Sequence, residues 1–287
     1  MVKIIFNSLH YSLPISLNKT VREMKVEIEK LCKIKPCQQR IWYYTKENKK
    51  VILLVDKTLT ECGVNEETEL EMKDLGRQLP YRFVYLLEYI GPLVLYFIPF
   101  FILKFLNRTI LYQQYMALFL WVVHYLKRIL ETIYVHEFGD NTMPYNNVFK
   151  NCTYYWGFAL AVSINVNLFS RQVPDLFVSI CACAMLISII SNGYCHLLLK
   201  WLRPPGTQIR AIPKGFLFEY VSCPHYFCEI MTWIFFNALT GFPFFGVLFS
   251  LCGIYQMREW ALQKHQRYYR EFPDYPKNRT VLIPFLY

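Results

Sequence analysis

Val221-Ser222-Cys223-Pro224-His225-Tyr226-Phe227-Cys228-Glu229, followed by Ile230 through Met257 without one charged side chain, is the stretch that decides the architecture. A helix needs about 20 mostly apolar residues to cross the hydrocarbon of a bilayer. Only 28 uncharged residues separate Glu229 from Arg258, too few for the two spans that Thr240-Gly241-Phe242-Pro243 divides. The first of the two must begin well before Glu229, which leaves that carboxylate within the bilayer or its protein-lined interior. A phenol, an imidazole and a carboxylate within five residues are expensive to hold there, and ionisable groups inside spans are functional candidates by default.

Working outward, the 287-residue chain is 54% hydrophobic and 18% aromatic, with positive mean hydropathy, which excludes an ordinary soluble domain. About six spans are expected: Tyr81–Leu103, Thr109–Val135, Asn151–Phe169, Asp175–Leu199, Phe216–Gly241 and Phe242–Leu262. Met1 to Phe6 is a short alternating run followed by a charged segment, unlike a cleavable signal. The 10 cysteines form neither a CxxC nor a Cys/His ladder, so reduced thiols are expected and no metal site or disulfide framework.

The net charge of +10 is uneven: residues 1–75 hold 13 Lys/Arg against 11 Asp/Glu, and residues 76–287 hold 18 against 10. Dispersed between spans, these charges speak against nucleic acid and for anionic headgroups, phosphates or CoA. With the N-terminal segment in the cytosol, 15 Lys/Arg of the membrane part fall on that side and three (Lys104, Arg108, Arg171) opposite. The positive-inside bias therefore predicts both termini in the cytosol. Of the four Asn-x-Ser/Thr sequons, Asn107-Arg108-Thr109 alone is placed on the lumenal side, so tight against the membrane that no glycan is expected.

The first 75 residues read differently. Val2–Phe6 and Ser12–Leu17 are two short strands around a turn. Thr20 caps a helix with Glu23 three residues on, a capping box, and Val21, Met24, Ile28 and Leu31 form its apolar stripe. Further strands begin at Pro36 and run through Val51–Leu54, Thr58-Leu59 and Glu69–Met72. This ββαββ order, with Gln38-Gln39-Arg40, Leu59 and Glu61-Cys62-Gly63-Val64, resembles ubiquitin, and Leu75-Gly76 running on into Arg77 makes the domain a fixed one. The expected fold is an α-helical polytopic membrane protein with an N-terminal β-grasp, ubiquitin-like domain: residues 1–75 the head, residues 76–287 the membrane catalytic body.

The telling segments of the body are Glu88-Tyr89-Ile90-Gly91-Pro92, His124 through Thr132, Phe149 through Gly157, Leu202-Arg203-Pro204, Val221 through Tyr226 and Asp274-Tyr275-Pro276. Together they resemble the steroid 5α-reductase superfamily, and within it the very-long-chain trans-2-enoyl-CoA reductase branch, which carries a ubiquitin-like domain. The resemblance implies NADPH-dependent reduction of a trans-2,3-enoyl-CoA at the endoplasmic reticulum, the last step of each fatty-acid elongation cycle. It also implies membrane lipid and other elongation enzymes as partners.

Such a reduction needs hydride at C3, stabilisation of charge on the thioester oxygen and a proton at C2. The resemblance gives Tyr226 as the acid, Lys127 as an essential lysine and Glu88 as the acidic group at the substrate carbonyl. For the cofactor it gives Asn192, His196, Arg203, Arg210, His225, Glu229, His265 and Tyr269. His196 and His225 depart from the wider superfamily, where Asp and Asn are usual. Arg203 and Arg210 have the chemistry for a 2′-phosphate or pyrophosphate, and no G-x-G-x-x-G offers a Rossmann site instead. Lys127 and Glu88 also suit snorkelling, and Tyr226 an interfacial aromatic belt. Competing expectations are a sterol or polyprenol reductase of the same superfamily and a non-enzymatic membrane adaptor displaying the head. An isoprenylcysteine-type methyltransferase fits badly, because Cys223-Pro224-His225 and a lone Glu259 stand where it would want Arg-His-Pro and paired carboxylates.

Overall fold

A computed structural model describes residues 1–138, 142–169, 171–202 and 211–286. The chain divides into two compact units, Met1–Tyr81 with Asp140–Asn147, and Arg82–Gly139 with Val148–Tyr287.

In the first unit, β1 (Val2–Phe6), β2 (Leu9–Leu13), β3 (Gln39–Tyr44), β4 (Lys50–Ile52) and β5 (Glu69–Asp74) form one sheet in the order β2-β1-β5-β3-β4. β1 and β5 run parallel, Ile4 beside Leu70; the other pairs are antiparallel. Alternation along β1 points Val2 and Ile4 inward, where they meet Val21, Met24 and Ile28 of α1 (Val21–Cys32). Leu31, the expected fourth member of the stripe, is exposed. It lies in the last turn before Lys33 (φ 60°) ends the helix. The capping box forms as expected: Glu23 N–H donates to Thr20 Oγ1 at 3.2 Å, and Thr20 N–H to Glu23 Oε2 at 2.9 Å. Thr58 makes only an isolated bridge with Thr20 rather than a strand. Buried Gln39 donates to the Lys25 and Ile34 carbonyls, both at 2.8 Å, fixing β3 against the end of α1. A separate two-stranded ribbon, β6 (Gln78–Pro80) with β7 (Thr142–Pro144), joins segments far apart in sequence.

The second unit is helical: α2 (Tyr81–Leu95), α3 (Phe97–Phe105), α4 (Tyr112–Tyr134), α5 (Tyr145–Leu168), α6 (Asp175–Trp201), α7 (Pro224–Leu239) and α8 (Phe244–Glu271). Among the described residues, two stretches qualify by length and composition to cross a membrane, Tyr81–Phe105 and Asp175–Trp201. At 1.5 Å per residue the second rises about 40 Å, more than the roughly 30 Å of hydrocarbon. Its apolar surface runs all the way round. Val178, Met185 and Ile189 are buried, while Leu176, Ile180, Ile187 and Ile190 are each more than half exposed. A helix of a soluble protein puts polar residues on that outer face; this one suits lipid.

The expected fifth span starts later than its sequence suggests. Residues 216–219 form a 3-10 turn, and α7 begins at Pro224, a residue preorganised for the first helical position. Its 16 residues rise only about 24 Å. Glu229 thus sits in the second turn. α8 continues past the expected limit to Glu271. Pro92 sits inside α2, and Tyr96 separates α2 from α3. Two indoles from other helices brace this region: Trp121 Nε1 donates to Pro92 O at 3.0 Å, and Trp156 Nε1 to Leu87 O at 3.1 Å. The core between helices is aromatic, with Trp121 against Tyr96, Tyr125, Trp233 and Phe236.

Candidate active site

Above that aromatic core the helices turn polar at one level. α4 contributes one face through its 3.6-residue period: His124, Lys127, Arg128 and Glu131 lie three or four apart. Glu131 is the hub. Its Oε1 is 3.0 Å from Lys127 Nζ and 3.0 Å from His196 Nδ1 on α6, and its Oε2 is 2.9 Å from Arg128 Nη1. Its side chain is 7% exposed, those of Lys127 and Arg128 17% each. One buried carboxylate between two cations makes each tolerable in low dielectric, where an unpaired charge is costly.

Lys127 Nζ also donates to Asn192 Oδ1, and the Asn192 amide donates to the His225 carbonyl at 2.7 Å. Asn192, expected at the cofactor, therefore bridges α4, α6 and the first turn of α7. Gly193 leaves the room: a Cβ there would lie 3.1 Å from Lys127 Cε.

On α7, His225, Tyr226 and Glu229 follow one another within the first two turns. Glu229 Oε1 is 3.3 Å from His124 Nε2 and accepts from Trp233 Nε1 at 3.2 Å. The Tyr226 ring lies 4.2 Å from that of His225 and under Lys264 Nζ, 5.0 Å from the ring centre. Lys264 Nζ is also 3.3 Å from His225 Nε2. The cation beside the phenol is thus Lys264 of α8, while Lys127 is engaged by Glu131 and Asn192. Glu88, 1% exposed, accepts from Asn151 Nδ2 at 2.7 Å.

His265 stands next to Lys264 but serves the C-terminal segment. Its Nδ1 is 2.6 Å from Ser222 Oγ, which is 2.7 Å from Tyr275 OH. Tyr269, 40% exposed, packs on His265 and donates to Lys277 O at 3.2 Å. Buried Arg279 donates to Pro213 O at 2.7 Å, and Ser222 N–H to Thr280 O at 2.9 Å. The segment after α8 therefore straps down the approach to Tyr226. Arg203 and Arg210 lie outside the described residues.

The structure brings together Lys127, Asn192, His196, His225, Tyr226 and Glu229, and leaves His265 and Tyr269 as ties of the strap. Reading the sequence residue by residue missed Glu131, Arg128, His124 and Lys264 as members of the cluster. The Lys127–Glu131 and Arg128–Glu131 spacings were available as a signal; the Lys264 contact, 39 residues from His225, was not. Glu131, His136 and His196 offer three ligand atoms within 4.8 Å of one another. Lys127 and Arg128 already occupy that carboxylate, so a divalent cation would have to enter against two like charges.

Chemically, this is a desolvated cluster of proton donors and cations: a phenol beside an ammonium, imidazoles in contact with carboxylates, and a guanidinium against a second phenol. Among the described residues, buried His124 Nδ1 and His225 Nδ1 have no hydrogen-bond partner. Such a set suits an anionic or carbonyl-bearing ligand with hydroxyl and amide groups of its own.

Comparison with known proteins agrees in kind. Residues 141–287 match the family described as 3-oxo-5-alpha-steroid 4-dehydrogenase. A very-long-chain enoyl-CoA reductase of Dictyostelium discoideum is 40% identical over 285 residues, 96% of this chain and 94% of that protein. A Caenorhabditis elegans protein named "Probable very-long-chain enoyl-CoA reductase" is 41% identical over 253 residues, 80% of each chain. A trans-2,3-enoyl-CoA reductase-like protein of Bos taurus is 28% identical over 295 residues, 95% of this chain and 78% of that protein. With half its length matched to the family and long, closely similar relatives, this chain belongs to the 3-oxo-5-alpha-steroid 4-dehydrogenase family.

Proposed function

We propose that the protein reduces the C2–C3 double bond of very-long-chain trans-2,3-enoyl-CoA thioesters with NADPH, the last step of each fatty-acid elongation cycle. The observation that carries this reading is Tyr226 one helical turn before Glu229, with Lys264 over its ring and His124 of α4 at 3.3 Å from Glu229. The relatives named as enoyl-CoA reductases support the substrate class. When bound, NADPH supplies a hydride for C3.

The unpartnered nitrogens of His124 and His225 fit a group rich in hydroxyl and amide functions. Glu229, held between His124 and Trp233, is placed to accept from a ribose or a carboxamide. His196 and Asn192 order the wall around it, and Arg203 and Arg210 have the chemistry for phosphates. Tyr226 donates the proton at C2; Lys264 favours the charge left on the phenol oxygen. Lys127, gripped by Glu131 and Asn192, holds α4, α6 and α7 in register. Glu88, with one oxygen taken by Asn151, has the other for the substrate carbonyl when protonated.

The same reading makes residues 1–75 a fixed ubiquitin-like head and residues 76–287 the catalytic body. It gives the body six spans in the endoplasmic reticulum, both termini cytosolic, with other elongation enzymes as neighbours. Tags at either end should be cut by protease added to intact microsomes. Purified protein should convert a long-chain trans-2-enoyl-CoA to the saturated thioester as NADPH absorbance falls, and Tyr226→Phe should lose roughly 10²–10⁴ of that rate. Turnover of a sterol or polyprenol enone with none of the thioester would overturn the substrate assignment.

A further inference from the structure

Arg128 has no part in the chemistry above, yet it is among the most demanding groups in the cluster. A guanidinium largely withdrawn from water must use its N–H groups or cost several kcal/mol. Nη1 donates to Glu131, and Nη2 donates to the phenol oxygen of Tyr89 at 2.7 Å. The guanidinium carbon lies 4.9 Å from the centre of the same ring. Tyr85, Tyr125 and Tyr155 wall that ring in, and Tyr89 is 4% exposed.

A tyrosine hydroxyl carries one proton and two lone pairs. Because Arg128 donates, the oxygen is the acceptor in this contact and the phenol's own proton points elsewhere. Among the described residues no acceptor takes it. A buried O–H without an acceptor is costly, and a cation on its oxygen makes it a stronger donor. Arg128 ties this phenol to Glu131, and Glu131 leads through Lys127 and Asn192 to the His225 carbonyl, next to Tyr226, so it belongs to the same cluster as the proposed acid.

We propose that Tyr89 is a catalytic residue that donates a hydrogen bond to the thioester oxygen of the bound enoyl-CoA, with Arg128 as the positioning residue that aims and polarises it. This rests on the enoyl-thioester reading above. As hydride adds at C3, the C2–C3 π pair becomes the C1–C2 double bond and the carbonyl pair moves onto oxygen. Tyr89 keeps its proton and shares it with that oxygen. When Tyr226 delivers a proton to C2, the carbonyl re-forms. Glu88 could serve the same oxygen only in its protonated form, whereas a phenol is a donor at neutral pH.

The test is Tyr89→Phe, which deletes one oxygen from a packed ring. Its kcat should fall roughly 10²–10³-fold, with NADPH affinity, read by cofactor fluorescence, unchanged. The infrared stretch of a 13C-labelled thioester carbonyl in bound saturated acyl-CoA should move to higher frequency in Tyr89→Phe and part of the way in Arg128→Gln. A residue with only a packing role would leave that band in place. Arg128→Gln should lower kcat alone and add little to Tyr89→Phe. An unmoved band in Tyr89→Phe overturns the proposal, and should that variant not fold, the Arg128→Gln band decides. A moved band in a protein whose Tyr226→Phe variant keeps its turnover would retain Tyr89 and remove Tyr226, so the two readings fail separately.

Discussion

Replacing Glu131 with glutamine removes the one carboxylate between Lys127, Arg128 and His196 while keeping its shape. Removing one member of a buried ion pair costs about 3–5 kcal/mol, because the partner's charge stays buried. Here two cations are stranded, at 3.0 and 2.9 Å, but glutamine keeps an acceptor oxygen. We therefore expect the lower part of that range, about 3–4 kcal/mol. For chains somewhat shorter than this one, 1 kcal/mol moves Tm by about 2–4 °C, so Glu131→Gln should melt about 6–16 °C lower. Thermal unfolding of the detergent-solubilised protein, followed by tryptophan fluorescence, reads this directly. Adding Lys127→Met should return part of the loss, since it takes out one stranded charge. A Tm within about 2 °C of wild type, or a double variant worse than the sum of the singles, would refute the picture of Glu131 as the neutralising hub.

Gly91→Ala would set a Cβ 1.8 Å from Trp156 Nε1. The indole must move and lose its bond to Leu87 O, at about 1–3 kcal/mol, which melting curves and a shifted tryptophan emission would register. In the head, Glu23 is pushed down to about 2 by the Lys19 ammonium that hydrogen-bonds it and by the Thr20 N–H. Its folded value lies below its unfolded one, so its support for α1 is complete above about pH 4.5 and fades as the pH falls towards 2. Amide exchange of α1 should accelerate over that interval, and Glu23→Gln should flatten the dependence.

The local parts of this molecule were legible. The capping box at Thr20 and the stripe Val21, Met24, Ile28 follow from helical spacing, and the membrane character from apolar length alone. Leu31 was misread because periodicity does not show where a helix runs out of sheet to cover. The start of α7 was misplaced for a related reason: hydropathy continues through Phe216–Tyr220, but Pro224 fixes where the helix begins. The family motifs named Tyr226, Glu229, Lys127 and Asn192, and the structure brings these four into one cluster. Asn192 emerged as a bridge because its partners lie on α4 and α7. Tyr89–Arg128 and His225–Lys264, each 39 residues apart, exist only once the helices pack. The arginines expected at the phosphates lie outside the described residues.

On the proposed reaction, bound NADPH would supply the hydride that reaches C3 of the enoyl thioester, and Tyr226 the proton that reaches C2. Mass spectrometry of the saturated acyl-CoA tests it most directly, using NADPH deuterated at the transferred position in ordinary water and then unlabelled NADPH in heavy water. One deuterium should appear at C3 in the first experiment and one at C2 in the second, with both products falling together in Tyr226→Phe. Cofactor deuterium at C2, or a saturated product formed without NADPH, would contradict it.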